Sequence, residues 1–196
     1  MTDPTVTRAT VNAPLEGSAA TAADRNSAVS DWHAELQERQ NRGDRAALRR
    51  AQIVDDVYGV VAFHQLLRRL GSAIAPDTAA RLAMALATVD LDWAPGEDNR
   101  IGKSWGDAFG HAAAMPKDGK PRVSEDRLRL LLSAEDPDQF LRLLRGVIHL
   151  LERKAPLIDL ARVVRAWHQP HNRARVRRQI FLSYFTMLPS SEKKNA

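Results

Sequence analysis

The sequence predicts an all-α protein of two small helical bundles, with roughly seven to nine helices and no sheet. Three observations predict it. Leu, Ala and Arg dominate the composition, and all three favour the helix. Apolar residues recur every three or four positions through most of the chain, and no segment shows strand alternation. A stretch punctuated by Gly and Pro, residues 91–122, separates two such periodic regions. Apolar residues make up 44 % of the 196, enough to build a core.

The elements follow in order. Residues 1–29 are rich in Ala, Thr, Ser and Asn and carry Pro4 and Pro14, so they read as a disordered tail. The N-terminal lobe spans 30–90. Ser30 is a suitable N-cap ahead of Trp32 and Leu36, and Asp44 caps a short helix in which Arg42, Arg45 and Arg49 share a face. Ile53, Val57, Val60, Phe63, Leu67 and Leu70 predict one longer helix, closed by Gly71. Pro76 opens the next, striped by Ala79, Leu82, Leu86 and Val89. Within the connecting segment 91–122 a short helix from Trp105 to Ala114 is expected, and loop elsewhere.

The C-terminal lobe spans 123–188. Ser124 caps a helix bearing Leu128, Leu131 and Leu132. Asp136 and Pro137 form a cap-plus-N1 start for Phe140, Leu144, Val147 and Leu151. Pro156 opens a helix through Leu160, Val164 and Trp167, which Pro170 to Asn172 break. The last helix carries Val176, Ile180, Tyr184 and Met187, Pro189 ends it, and 189–196 form a polar tail.

Several function classes lose support at this level. There are no cysteines, hence no thiolate nucleophile, iron–sulfur ligand or cysteine zinc site. No segment approaches the roughly 18 apolar residues of a membrane span, and no secretory leader is visible. A cytoplasmic location without membrane contact is expected. Gly102-Lys103-Ser104 resembles the end of a phosphate-binding loop, but the upstream glycine is misplaced and no strand precedes it. His168 and His171 lack a neighbouring carboxylate and read as polar residues at a helix–helix turn rather than metal ligands. His64 and His149 lie in or beside apolar stripes and read as core or boundary residues. Glu125, Asp126, Glu135 and Asp136 read as first-turn helix charges. Among the tryptophans, Trp93 and Trp105 are the candidates for an exposed contact. No catalytic residue, metal ligand or cofactor is expected, so the chain is not expected to be an enzyme.

Charge is the informative signal. The net charge of +5 is unevenly placed: residues 1–120 hold 14 Lys and Arg against 16 Asp and Glu, whereas 121–196 hold 15 against 8. No acidic residue lies between Leu160 and Ser191, while six arginines do. Arg173, Arg175, Arg177 and Arg178 have no acidic neighbour at helical spacing, so that face repels itself unless an anion neutralises it. The guanidinium fork matches phosphate oxygens. With no helix-turn-helix or RNA-recognition signature, backbone contact without base readout is the expected mode. Lys103, Arg122, Arg173 and Arg175 are candidate phosphate contacts on charge alone.

The order of these features resembles the CasB family, the small subunit of the type I-E CRISPR Cascade complex. The resemblance runs from about Ser30 to Leu188. It is carried by Gly43-Asp44-Arg45-Ala46-Ala47-Leu48-Arg49-Arg50-Ala51, by Phe63-His64-Gln65-Leu66-Leu67 and by Trp105-Gly106-Asp107-Ala108-Phe109-Gly110-His111-Ala112. Ser124 to Leu132 and the closing pair Ile158 to Trp167 and Val176 to Phe185 complete it. The resemblance implies a non-catalytic subunit whose copies associate head to tail beside the other Cascade subunits. It implies contact with guide RNA and target DNA, along a basic path for the displaced strand that favours the R-loop. Guide pairing would supply sequence specificity, as it does in a different RNA-guided effector. By position it adds Arg45, Arg49, Arg50, Arg127, Arg129, Arg177 and Arg178 as phosphate contacts. Two other readings stay open: a free-standing helical nucleic-acid-binding regulator, and a helical scaffold whose basic face meets an acidic protein.

Overall fold

Alanines at 79, 80, 83, 85 and 87 let one helix be enclosed on nearly every side, and the fold is arranged around it. The computed structural model describes residues 21–93 and 104–188. In chain order come α1 (Ala22–Gln37), α2 (Arg42–Arg50), a tight turn Val54–Val57, α3 (Val61–Leu70) and the enclosed helix α4 (Pro76–Thr88). Then follow β1 (Leu91–Asp92), α5 (Asp107–Ala114), β2 (Pro116–Lys117), β3 (Lys120–Pro121), α6 (Glu125–Ser133) and α7 (Pro137–Leu150). The chain continues through β4 (Lys154–Ala155), α8 (Leu157–Trp167) and α9 (Pro170–Met187). The described residues thus hold nine α-helices, and the all-α class stands. The tail calls before Thr21 and after Leu188, including Pro189, lie outside the described residues.

α4 packs against α1, α2 and α3 on one side and against α7 and α8 on the other. Buried residues from Val29 to Tyr184 consequently form one cluster that crosses the segment read as a connection. Arg81 is half-buried within this apolar run: its Nε and Nη2 meet both carboxylate oxygens of Asp138 at 2.6 and 3.0 Å, tying α4 to α7. Indole N–H groups tie other elements. Trp32 donates to Ala62 O at 2.8 Å and Trp167 to Ala134 O at 2.9 Å, and Trp167 stacks on Phe140.

Four expectations are corrected. The first helix begins at Ala22, not Ser30, because Thr21 and Asp24 form a reciprocal capping box, with bonds of 3.2 and 2.7 Å. The helix expected over 53–70 is interrupted. The Asp56 carboxylate accepts from Gln52 N–H and Ile53 N–H, closes the tight turn, and lets the chain restart at Val61. The break between the last two helices falls at His168 and Gln169, and Pro170 opens α9 instead of belonging to the break, since proline suits the first helical position. The expectation of no sheet gives way to two short strand pairs. β1 runs parallel to β4, and β2 runs antiparallel to β3 across Asp118 and Gly119, both at positive φ. Strands of two residues carry no alternation to read.

The irregular middle of the chain is held by a buried contact. The N-cap of α5 is Gly106, at φ 92°, which has no side chain to cap the helix. Asp159 of α8 does so from outside: its carboxylate accepts from Gly106 N–H at 2.7 Å and Phe109 N–H at 2.9 Å. α9 then crosses α5 at Gly110, where a Cβ would lie 2.6 Å from Ile180 O and 2.9 Å from Ser183 Cβ. Ser183 Oγ donates to Asp107 at 2.5 Å, and Tyr184 Oη to Val123 O at 2.7 Å.

Gly110→Ala should therefore lower the unfolding free energy read from a urea titration by an amount typical of overpacking, about 1–3 kcal/mol. Gly146→Ala, in the exposed middle of α7 with nothing within 4 Å, should instead stabilise by about 0.5–1 kcal/mol. Burial pushes the Asp159 carboxyl up to about 6, overcoming the two N–H bonds that pull it down. The folded protein then keeps this proton where the unfolded chain, near 3.8, has released it. Stability from this group is complete below 3.8 and declines as pH rises to about 6. Asp159→Asn should remove that part of the pH profile in denaturant titrations; superimposable profiles would disprove it.

Candidate nucleic-acid interface

The arginines singled out by sequence divide into those with partners inside the fold and those without. On α2, Arg45 donates to the Gln37 side chain. Arg49 donates to Ala87 O at 2.5 Å and pairs with Asp90, which joins α2 to the end of α4. Arg50 is exposed and has no ion pair among the described residues. Arg122 shares Glu152 with Lys117, and these two cations hold the Glu152 carboxyl below its ordinary value. Lys103 lies outside the described residues.

On α6, Arg129 bonds Glu125 at 2.7 Å, and its guanidinium lies 5.8 Å from the centre of the Phe181 ring. Arg127 is exposed at the rim of an apolar groove of about 370 Å³, with Arg142 on the rim and Leu130, Leu143, Val147 and Leu150 along it.

On α9, Arg173 donates to Glu135 O at 2.6 Å, and Arg175 lies 5.6 Å from the centre of the Trp105 ring. Arg177 and Arg178 are exposed, and neither has an ion pair or side-chain hydrogen bond among the described residues. Phe181, over which Arg129 of α6 lies, follows them by one turn. Arg129 thus reaches α9 at Phe181, one turn along from Arg177 and Arg178. α2 packs on α1, α3 and α4, whereas α9 packs on α5 and α8, so the α2 arginines belong to a different surface.

The aromatic and histidine readings are refined in the same way. Trp32 and Trp167 are buried anchors, while Trp93 and Trp105 are half-buried. His64 and His149 are exposed, not core or boundary residues, because each falls on the solvent side of its stripe. The buried histidine is His33, 3.1 Å from Val89 O, and burial lowers its pKa. No cluster of three or more His, Asp or Glu among the described residues could hold a metal ion, and no helix there is long and apolar enough to cross a membrane.

Sequence reasoning missed Arg145. Half-buried on α7, it donates to Ala51 O at 2.7 Å and to Arg49 O, closing the C-terminal end of α2, and burial lowers its pKa. The available signal was its place on a strongly apolar stretch between Leu144 and Val147.

A match to the family described as CRISPR-associated protein Cse2 covers residues 44–185, well over half of the chain. The chain belongs to the Cse2 (CasB) family. That makes it a CRISPR Cascade subunit, and the family is a structural one. No curated protein and no solved structure matches the chain. The matched span includes every arginine discussed above except Arg42, and the stretch before Asp44 lies outside it.

These interactions separate stability from surface charge. Arg49→Ala should cost about 1–2 kcal/mol in a urea titration, because the bonds to Ala87 O and Asp90 disappear. Arg177→Ala should stay within about 0.5 kcal/mol of the unaltered protein.

Proposed function

We propose that this Cse2-family subunit steadies Cascade and its R-loop by sequence-independent contacts to the phosphate backbone of the displaced DNA strand. The observation that carries the proposal is the pair Arg177 and Arg178. They are exposed on a helix with no acidic residue, and Arg129, itself paired with Glu125, lies over Phe181 one turn along that helix. Held side by side, unneutralised guanidinium groups raise the local potential, and a phosphate polymer relieves it. The six arginines between Leu160 and Ser191 keep the same sign over the surrounding surface. The role is architectural, it takes place in the cytoplasm, and it includes contact with other Cascade subunits, with guide RNA and with further copies of this chain.

Arg50, Arg127, Arg177 and Arg178 are the primary contacts in this reading, since no intramolecular ion pair engages them among the described residues. Arg45, Arg49, Arg122, Arg129, Arg173 and Arg175 have internal partners and act chiefly by shaping that surface.

The test has two parts. Expressed with its genomic neighbours, the tagged chain should elute in a large complex containing a guide-sized RNA. Elution alone as a small dimer would favour the regulator or scaffold reading. Arg177→Glu combined with Arg178→Glu should weaken single-strand binding at unchanged helicity. For every phosphate that the variant no longer neutralises, the log–log salt dependence should flatten by roughly 0.7. Unchanged affinity and slope in the folded variant would make this face a solvated surface only.

A further inference from the structure

A cavity of about 290 Å³ lies where the approach to α4, the end of α8 and the start of α9 meet. Ile74, Ala75 and Thr78 line it from the α4 side, Trp105 from the α5 side, and Arg165, His168, Gln169 and Asn172 from α8 and α9. No carboxylate among the described residues lines it.

Three features of this lining lack a partner. Arg165 is half-buried, yet it makes no ion pair or hydrogen bond among the described residues. Burial, with Arg25 adding like charge, holds its pKa below the ordinary guanidinium value. A guanidinium kept partly out of water without a counter-charge is an uncompensated cost that a bound anion would remove. His168 Nε2 is closed off from solvent and has no hydrogen-bond partner among the described residues. Burial lowers its pKa, so the ring is neutral near pH 7 and can still donate one N–H. Finally, α9 starts here without a side-chain cap from Gln169 and without an acidic residue in its first turn, so the helix supplies no negative charge to its own positive end.

We propose that this cavity is a nucleotide subsite for a single-stranded nucleic acid. The Arg165 guanidinium and the opening turn of α9 take the phosphate, and Trp105 with Ile74 forms the apolar wall for the attached base or sugar. The size suits one nucleotide, and it lies at the lower end of small-molecule sites. Arg175 on the Trp105 ring links the subsite to the exposed arginines one turn along α9, so a strand could run from one to the other. The inference rests on the nucleic-acid reading above and adds to it a defined pocket that sequence reasoning did not find.

The experiment uses the full chain. Thymidine monophosphate is titrated while the Trp105 indole N–H resonance is followed, assigned with Trp105→Phe. A saturable shift is expected, abolished in Arg165→Gln and in Asn172→Asp. The second variant places a negative charge in the first turn of α9, which suits the helix and repels phosphate, so it remains informative if Arg165→Gln fails to fold. Inorganic phosphate should compete with the nucleotide, and thymidine without phosphate should give no saturable shift at the same concentration. Equal shifts from the nucleoside, or a shift unchanged in both variants, would overturn the subsite. In strand binding, the two variants should each lower affinity about tenfold and flatten the salt dependence by roughly 0.7. If they bind like the unaltered protein while Arg177→Glu with Arg178→Glu binds weakly, the subsite is wrong and the backbone reading stands. If none of the three weakens strand binding, both fall.

Discussion

The carboxylate of Asp159, buried between α5 and α8, is the contact on which the placement of the α9 arginines and of the neighbouring cavity depends. It accepts the two N–H groups that open α5, a helix with no cap of its own. With α5 fixed against α8, Gly110 offers α9 a surface without a Cβ, and the two helices approach closely enough for Ser183 to bond Asp107. The line of α9 then follows. It turns Val176, Ile180 and Tyr184 inward and leaves Arg177 and Arg178 outside. The same line sets its first turn against Arg165 and His168, which shapes the cavity there.

Charge alone overstates the reach of a basic surface. Arg49, Arg81 and Arg145 are arginines like Arg177, but each is occupied within the fold, by Asp90, by Asp138 and by two carbonyls at the end of α2. Such guanidinium groups act as long cross-links between helices that are distant in sequence. The positive charge left at the surface is the subset whose sign is not cancelled locally. That subset lies chiefly toward the C-terminal end of the chain, where acidic residues are absent between Leu160 and Ser191. Membership of the Cse2 family gives this surface its setting, a Cascade complex.

Much of the helical plan was legible because helix formation is decided within a few residues. The starts at Pro76, Pro137 and Leu157 follow from proline geometry and local caps. The short helix at 107–114 follows from its apolar spacing despite flanking glycines. Errors arose where a competing side-chain bond intervened, as with Asp56 at the turn before Val61, or where the signal was too short, as with the two-residue strands. The α9 arginines could be read from the run without acidic residues. The engagement of Arg49 by Asp90 could not, since the two are 41 positions apart.

By itself, then, the sequence determined the helical class, most helix starts, the sign of the C-terminal half and the family resemblance later borne out by the match over 44–185. These depend on periodicity, caps and composition, all of which act over short stretches of chain. Tertiary structure alone decided which arginines are neutralised, why Gly106 and Gly110 stand where they do, and that Arg165 and His168 face a common cavity. Coulombic pairing, close packing and desolvation depend on distances in space, and folding sets those distances between residues that the sequence keeps far apart.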